Sequence, residues 1–117
     1  MNIAYVALGA NIGDPKATLL AAFAALANLP ESRVARCSSL YRTAPVGLHN
    51  QPDFINAVAV LETTLAPEAL LDALFDIEAR FGRVRGERNG PRILDLDLLL
   101  YNDAELDLPP HHQPPPR

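Results

Sequence analysis

Two aspartates stand one residue apart in "GPRILDLDLLLY", residues 90 to 101, a run whose other members read as a buried strand. A strand rises about 3.3 Å per residue and alternates its faces, so Asp95 and Asp97 point the same way, about 6 to 7 Å apart. Leu94, Leu96, Leu98 and Leu100 take the other face. Two like charges on a half-covered sheet repel each other and lose water, which raises a pKa or calls for a cation between them. Oxygen-only ligands suit Mg²⁺, which keeps several waters and usually sits between one or two carboxylates and substrate phosphates. The plainer alternative is a pair of aspartates facing solvent on an open sheet, and D-x-D by itself is too short a motif to decide.

Just upstream, Arg80, Arg83, Arg85, Arg88 and Arg92 are opposed only by Glu87. The whole chain carries −4, so this +4 segment leaves −8 for the rest. A charge run of this kind is commonly a solvated, salt-bridged loop. Guanidinium forks also match phosphate oxygens, and next to two candidate Mg²⁺ carboxylates the cluster reads more economically as a polyphosphate site.

These groups must be positioned by a small frame. With 117 residues, 49% hydrophobic and 21% charged, the chain has the length and composition of one soluble globular domain. No run reaches the ~18 apolar residues of a membrane span and no signal peptide is evident, so no membrane partner is expected and the location reads as cytoplasmic. The acidic balance argues against a nucleic-acid surface. Cys37 is the single cysteine, which excludes an internal disulfide and reads as a small buried hydrophobe.

The chain divides into alternating elements. Residues 2 to 9, "NIAYVALG", form an apolar run suited to a central strand. "ANIGDP" turns the chain, with Asp14 as helix N-cap and Pro15 at the first helical position. Leu19, Phe23 and Leu26 recur at helical spacing, which predicts a helix from about 15 to 29. Strands are predicted over 33–42 and 54–62. Pro67 opens a second helix with Leu70, Leu74, Ile77 and Phe81 as its core stripe, and Gly82 ends it. The aspartate strand follows over 93–101. The order β-α-β-β-α-β predicts an α+β fold, the ferredoxin-like sandwich with two helices on one face of an antiparallel sheet and the other face left for chemistry. Residues 1–108 make the domain; the end, "PPHHQPPPR", holds five prolines and reads as an extended or disordered tail in which His111 and His112 are solvated.

Other stretches carry weaker signals. "LGANIGD" has neither a P-loop nor a G-x-G-x-x-G pattern, so Gly9 and Gly13 read as turn residues and Asn11 as a turn brace or a ligand. "TAPVGLHNQPD" is a long connection without a core pattern, a common feature of functional loops. Beside it, Phe54 serves either the core or stacking on a planar ligand, and Asn56, on the same face, is an unusual choice for a buried strand.

Taken together, "LGANIGD", "SSLYRTAPVG", "QPDFINAV", "IEARFGRVR" and "GPRILDLDLLLY" resemble, in order and spacing, the 6-hydroxymethyl-7,8-dihydropterin pyrophosphokinases of folate biosynthesis. The resemblance covers residues 2 to about 108. It implies transfer of the β,γ-diphosphate of ATP to the pterin hydroxymethyl group with release of AMP, and so ATP and the pterin as partners. It also implies two Mg²⁺ ions held by Asp95 and Asp97, phosphate-binding and catalytic roles for Arg83 and Arg92, and a weaker phosphate role for Arg85. Thr43, Pro45 and Val46 resemble the loop lining the pterin pocket, Phe54 the stacking aromatic, Asn56 the amide that reads the ring edge, and Glu78 an acid near the nucleotide.

The match departs from the family pattern in places. Asn89 stands where a tryptophan is usual, Phe75 where a glutamine is common, and the arginine loop is one residue short. The family continues past the aspartate strand with a Pro-His element, a strand pair and a helix that bring a second stacking aromatic, so an impaired Mg·ATP-binding domain is the alternative expectation. A ferredoxin-like RNA-binding module is a third, disfavoured by the charge and by the lack of paired sheet aromatics. Monomer and dimer are both left open.

Overall fold

The computed structural model describes residues 1–44, 52–82 and 94–102, together with the backbone of 104–105. The elements run β1 (Asn2–Ala10), α1 (Pro15–Ala27), β2 (Ser32–Cys37), β3 (Tyr41–Thr43), β4 (Phe54–Thr63), α2 (Pro67–Arg80), β5 (Asp95–Tyr101) and β6 (Ala104–Glu105). They form one sheet in the order β2-β4-β1-β5-β6, with β3 also pairing with β4 and every pairing antiparallel. Strands β1 and β2 flank β4, and the crossover between them is α1. This is the predicted ferredoxin-like α+β arrangement.

Alternation decides which face is covered. Ala4, Val6, Leu8 and Ala10 of β1, Ala57, Ala59 and Leu61 of β4, and Leu96 and Leu98 of β5 are buried together with Leu19, Ala22 and Leu26 of α1 and Leu70, Leu74 and Ile77 of α2. The helices bring leucine and isoleucine where the two central strands mostly bring alanine, so large and small side chains interdigitate at close packing. Thr63 ends the buried row of β4 with its hydroxyl satisfied, 2.6 Å from Ser32 Oγ and accepting from Leu65 N at 3.0 Å. No helix among the described residues is long and apolar enough to cross a membrane.

The helix starts follow the sequence signals. Asp14 Oδ1 accepts from Ala17 N at 3.1 Å, with Pro15 at the first helical position. Asp14→Ala removes that acceptor and is expected to cost about 1 kcal/mol in urea unfolding, whereas Asp14→Asn, which keeps it, should cost much less. Gly13, at φ +70, is the turn residue it was expected to be.

Four expectations need correction. The strand predicted over 33–42 is interrupted: Ser38 N donates to Val58 O, and Ser38 Oγ accepts from Val58 N. A short hydroxyl side chain thus replaces ladder pairing and lets the chain leave the sheet before β3. Cys37 is exposed at the end of β2 and not a core residue, with enough neighbouring cover to push its thiol pKa up. Gly9 is no turn residue, since it lies inside β1, opposite Asn56 on one side and Asp95 on the other. Finally, Leu100 does not continue the core face of Leu96 and Leu98. The β1–β5 register shifts between Tyr5 and Val6, which pair with Leu100 and Leu98, so the extra residue moves Leu100 opposite Tyr5. Tyr101 then packs against the core, its hydroxyl donating to Leu65 O.

Candidate active site

The uncovered sheet face gathers the side chains of interest by register alone. Asn56, Gly9 and Asp95 form one row across β4, β1 and β5, and Val58, Ala7 and Asp97 form the next. Thr43 of β3 pairs with Phe54 of β4 at the end of the sheet nearest these rows. Together Ala7, Gly9, Thr43, Phe54, Asn56 and Asp95, with Asp97 beside them, line an open cleft of about 410 Å³. One end of the cleft is acidic and the other aromatic and amide-bearing. Gly9 lies between them.

The amide of Asn56 has a defined orientation. Its Nδ2 donates to Thr43 Oγ1 at 2.8 Å, and its Oδ1 would be 3.3 Å from a Cβ placed on Gly9. The carbonyl end of the amide is therefore turned toward the floor at Gly9, where it can accept from a ligand N–H. A side chain at residue 9 would press on that oxygen and require the Asn56 amide to move by a few tenths of an ångström, so glycine leaves the amide where it is.

The two carboxylates come from one strand whose intervening residue is anchored from behind. Leu96 is buried in the core, and its N–H donates to Glu78 Oε2 at 2.7 Å. Asp95 is half-buried and Asp97 exposed, both on the open side. Two hard oxygen donors on one face suit an ion such as Mg²⁺, which keeps several waters and is usually held by one or two carboxylates together with phosphate.

The cleft brings together five of the residues anticipated from the sequence: Thr43, Phe54, Asn56, Asp95 and Asp97. Pro45, Val46, Arg83, Arg85 and Arg92 lie outside the described residues, as do Asn89 and residues 106–117 with His111 and His112. Glu78 is not among the lining residues; it is buried on α2 and bonded to the backbone of β5. Asn11 is buried and donates to Pro52 O at 3.2 Å, so it braces the segment entering β4. The role of Gly9 was missed, although strict alternation through "YVALG" would have placed it on the same face as the aspartates. Nothing in residue type alone signals the bond from Leu96 to Glu78.

Fold and cleft together define a ferredoxin-like α+β domain with a carboxylate pair and an aromatic–amide pocket on its free sheet face. Residues 5–115 match the family described as 7,8-dihydro-6-hydroxymethylpterin-pyrophosphokinase (HPPK). The 2-amino-4-hydroxy-6-hydroxymethyldihydropteridine pyrophosphokinase of Pseudomonas aeruginosa is 51% identical over 112 residues, spanning 92% of this chain and 69% of that protein. Its namesake from Pseudomonas putida is 50% identical over 113 residues, 93% of each chain. The Bacillus subtilis protein of the same name is 42% identical over 116 residues, 99% of this chain and 70% of its own. The chain belongs to the 7,8-dihydro-6-hydroxymethylpterin-pyrophosphokinase family.

Proposed function

We propose that this chain transfers diphosphate from ATP to the hydroxymethyl group of 6-hydroxymethyl-7,8-dihydropterin, releasing AMP, as a cytoplasmic enzyme of folate biosynthesis. The observation that carries the proposal is the cleft in which the Asp95–Asp97 pair faces Phe54 and Asn56 across Gly9. A flat heterocycle and a triphosphate then meet along one sheet face.

In this reading Phe54 stacks on the pterin ring, and Asn56 Oδ1 accepts from a ring-edge N–H. Thr43 holds the amide in that orientation through its 2.8 Å bond to Asn56 Nδ2. Pro45 and Val46 complete the pocket wall. The hydroxymethyl oxygen attacks the β-phosphorus and gives its proton to solvent, the bond from that phosphorus to the α,β-bridging oxygen breaks, and AMP departs with that oxygen. The protein's main task is alignment and charge neutralisation. Arg83 and Arg92, with Arg85, oppose the phosphate charge, and Glu78 serves the nucleotide side from behind the sheet, through its bond to β5. Asp95 and Asp97 would hold two Mg²⁺ ions. When bound, these ions supply positive charge against the triphosphate and a fixed frame for in-line displacement.

Binding of the reduced pterin in the presence of Mg²⁺ and α,β-methylene-ATP tests the pocket. Stacking on an aromatic is worth about 1 to 3 kcal/mol per base, so Phe54→Ala should weaken pterin binding about tenfold or more while leaving nucleotide affinity nearly unchanged. An unaltered pterin Kd in that variant would remove Phe54 from the site.

A further inference from the structure

We propose that Glu78 is a positioning residue for the Asp95–Asp97 pair, acting through the backbone of Leu96; this rests on reading the two aspartates as ligands of divalent ions. Strand β5 pairs with β1 along its inner edge, but β6 reaches only Leu100 and Tyr101 on the outer edge. At the height of the aspartates no strand among the described residues covers that outer edge. There Glu78 Oε2 takes the N–H of Leu96 at 2.7 Å, in the place a neighbouring strand would occupy.

The choice of residue argues for more than packing. Glu78 follows Leu70, Leu74 and Ile77 in the buried residues of α2 and is itself 7% exposed. A carboxylate in such a place loses water at considerable cost, which strong hydrogen bonds must offset. A charge-assisted bond to a backbone N–H is shorter and stronger than a neutral one. Here it fixes the Asp95–Leu96 peptide, one of the two that join the carboxylate-bearing residues. Since Asp95 and Asp97 project from either side of Leu96, a β5 free to shift there would change their separation and their shared direction. Glu78 thus ties the metal-binding edge of the cleft to α2, on the opposite side of the sheet.

Only the acceptor oxygen is needed for this role, so Glu78→Gln should keep it and Glu78→Leu should lose it. The measurements are Mn²⁺ affinity by electron paramagnetic resonance in the presence of α,β-methylene-ATP, and hydrogen exchange at the Leu96 amide. Outer partners of metal ligands typically set about 10- to 100-fold in metal affinity, so Glu78→Leu is expected to weaken Mn²⁺ binding about tenfold and expose the Leu96 amide, with pterin affinity little changed. Glu78→Gln should stay within about threefold of the unaltered chain on the same scale. A Glu78→Gln protein as impaired as Glu78→Leu would overturn the proposal and show that the carboxylate charge, not its acceptor oxygen alone, is what the site requires; this arm stands even where Glu78→Leu does not fold. Unchanged Mn²⁺ affinity in folded Glu78→Leu would also overturn it. If the unaltered chain binds no Mn²⁺, or Asp97→Asn does not reduce the binding, the metal reading of the pair fails and this proposal falls with it.

Discussion

Asp97→Ala is expected to lower pterin-dependent AMP release by at least 10²- to 10³-fold, on the order of the loss from removing one charge-stabilising group from an active site, while the protein keeps its fold. Both halves of that expectation come from one geometric fact. Asp97 lies on β5 between Leu96 and Leu98, which are buried on the helix-covered face, and its own side chain is exposed on the other. Truncating it opens no cavity, and exposed substitutions usually change stability by no more than about 0.5 kcal/mol. Asp97→Asn should be nearly as inactive, because it keeps shape and polarity and loses only the charge. Circular dichroism and a urea midpoint close to those of the parent chain, with turnover gone, would fit the role. Full turnover, or inactivity accompanied by unfolding, would contradict it.

Leu61→Ala should do the reverse. Leu61 is fully buried on β4, opposite Ala4 on β1 and Val34 on β2. Deleting a buried leucine side chain costs about 2 to 5 kcal/mol, the lost transfer energy plus the cavity left behind. A domain of this kind has only about 5 to 15 kcal/mol in total, so the urea midpoint should fall sharply. Turnover per folded molecule should hardly change, since Leu61 is on the covered face and five residues along β4 from Asn56, roughly 17 Å at the strand rise. A loss of activity without a loss of stability would mean that β4 couples its far end to the cleft in a way the packing does not account for.

Much of this site was legible in the sequence because a strand's period is so regular. Asp95 and Asp97 had to share a face, as did Phe54 and Asn56, and the leucines between the aspartates named the opposite face as core. The ends of elements were also legible where chemistry marks them, at Asp14, Pro15, Gly13 and Pro67. What escaped depended on one-residue irregularities. The bulge that puts Leu100 opposite Tyr5 shifts the alternation without any glycine or proline to announce it. The break after Cys37 depends on a serine side chain substituting for ladder pairing, and two serines in a row do not say which will do so.

The remaining gaps lie in contacts between distant parts of the chain. Glu78 is eighteen residues from Leu96 in sequence, and only the packing of α2 behind β5 brings its carboxylate to that N–H. Gly9 looked like part of the glycine-bearing turn because Gly13 follows it; its value as a bare floor beneath Asn56 exists only once β1 has both neighbours. Register across a sheet is a tertiary property, so such roles cannot be read from local pattern.

The most direct measurement is AMP formed from Mg·ATP by this chain, with and without 6-hydroxymethyl-7,8-dihydropterin. AMP that appears only with the pterin, in equal amount to the pterin diphosphate, is the predicted result. Folded protein that binds both ligands yet forms no AMP above background would contradict the account and leave the cleft a binding site without the transfer.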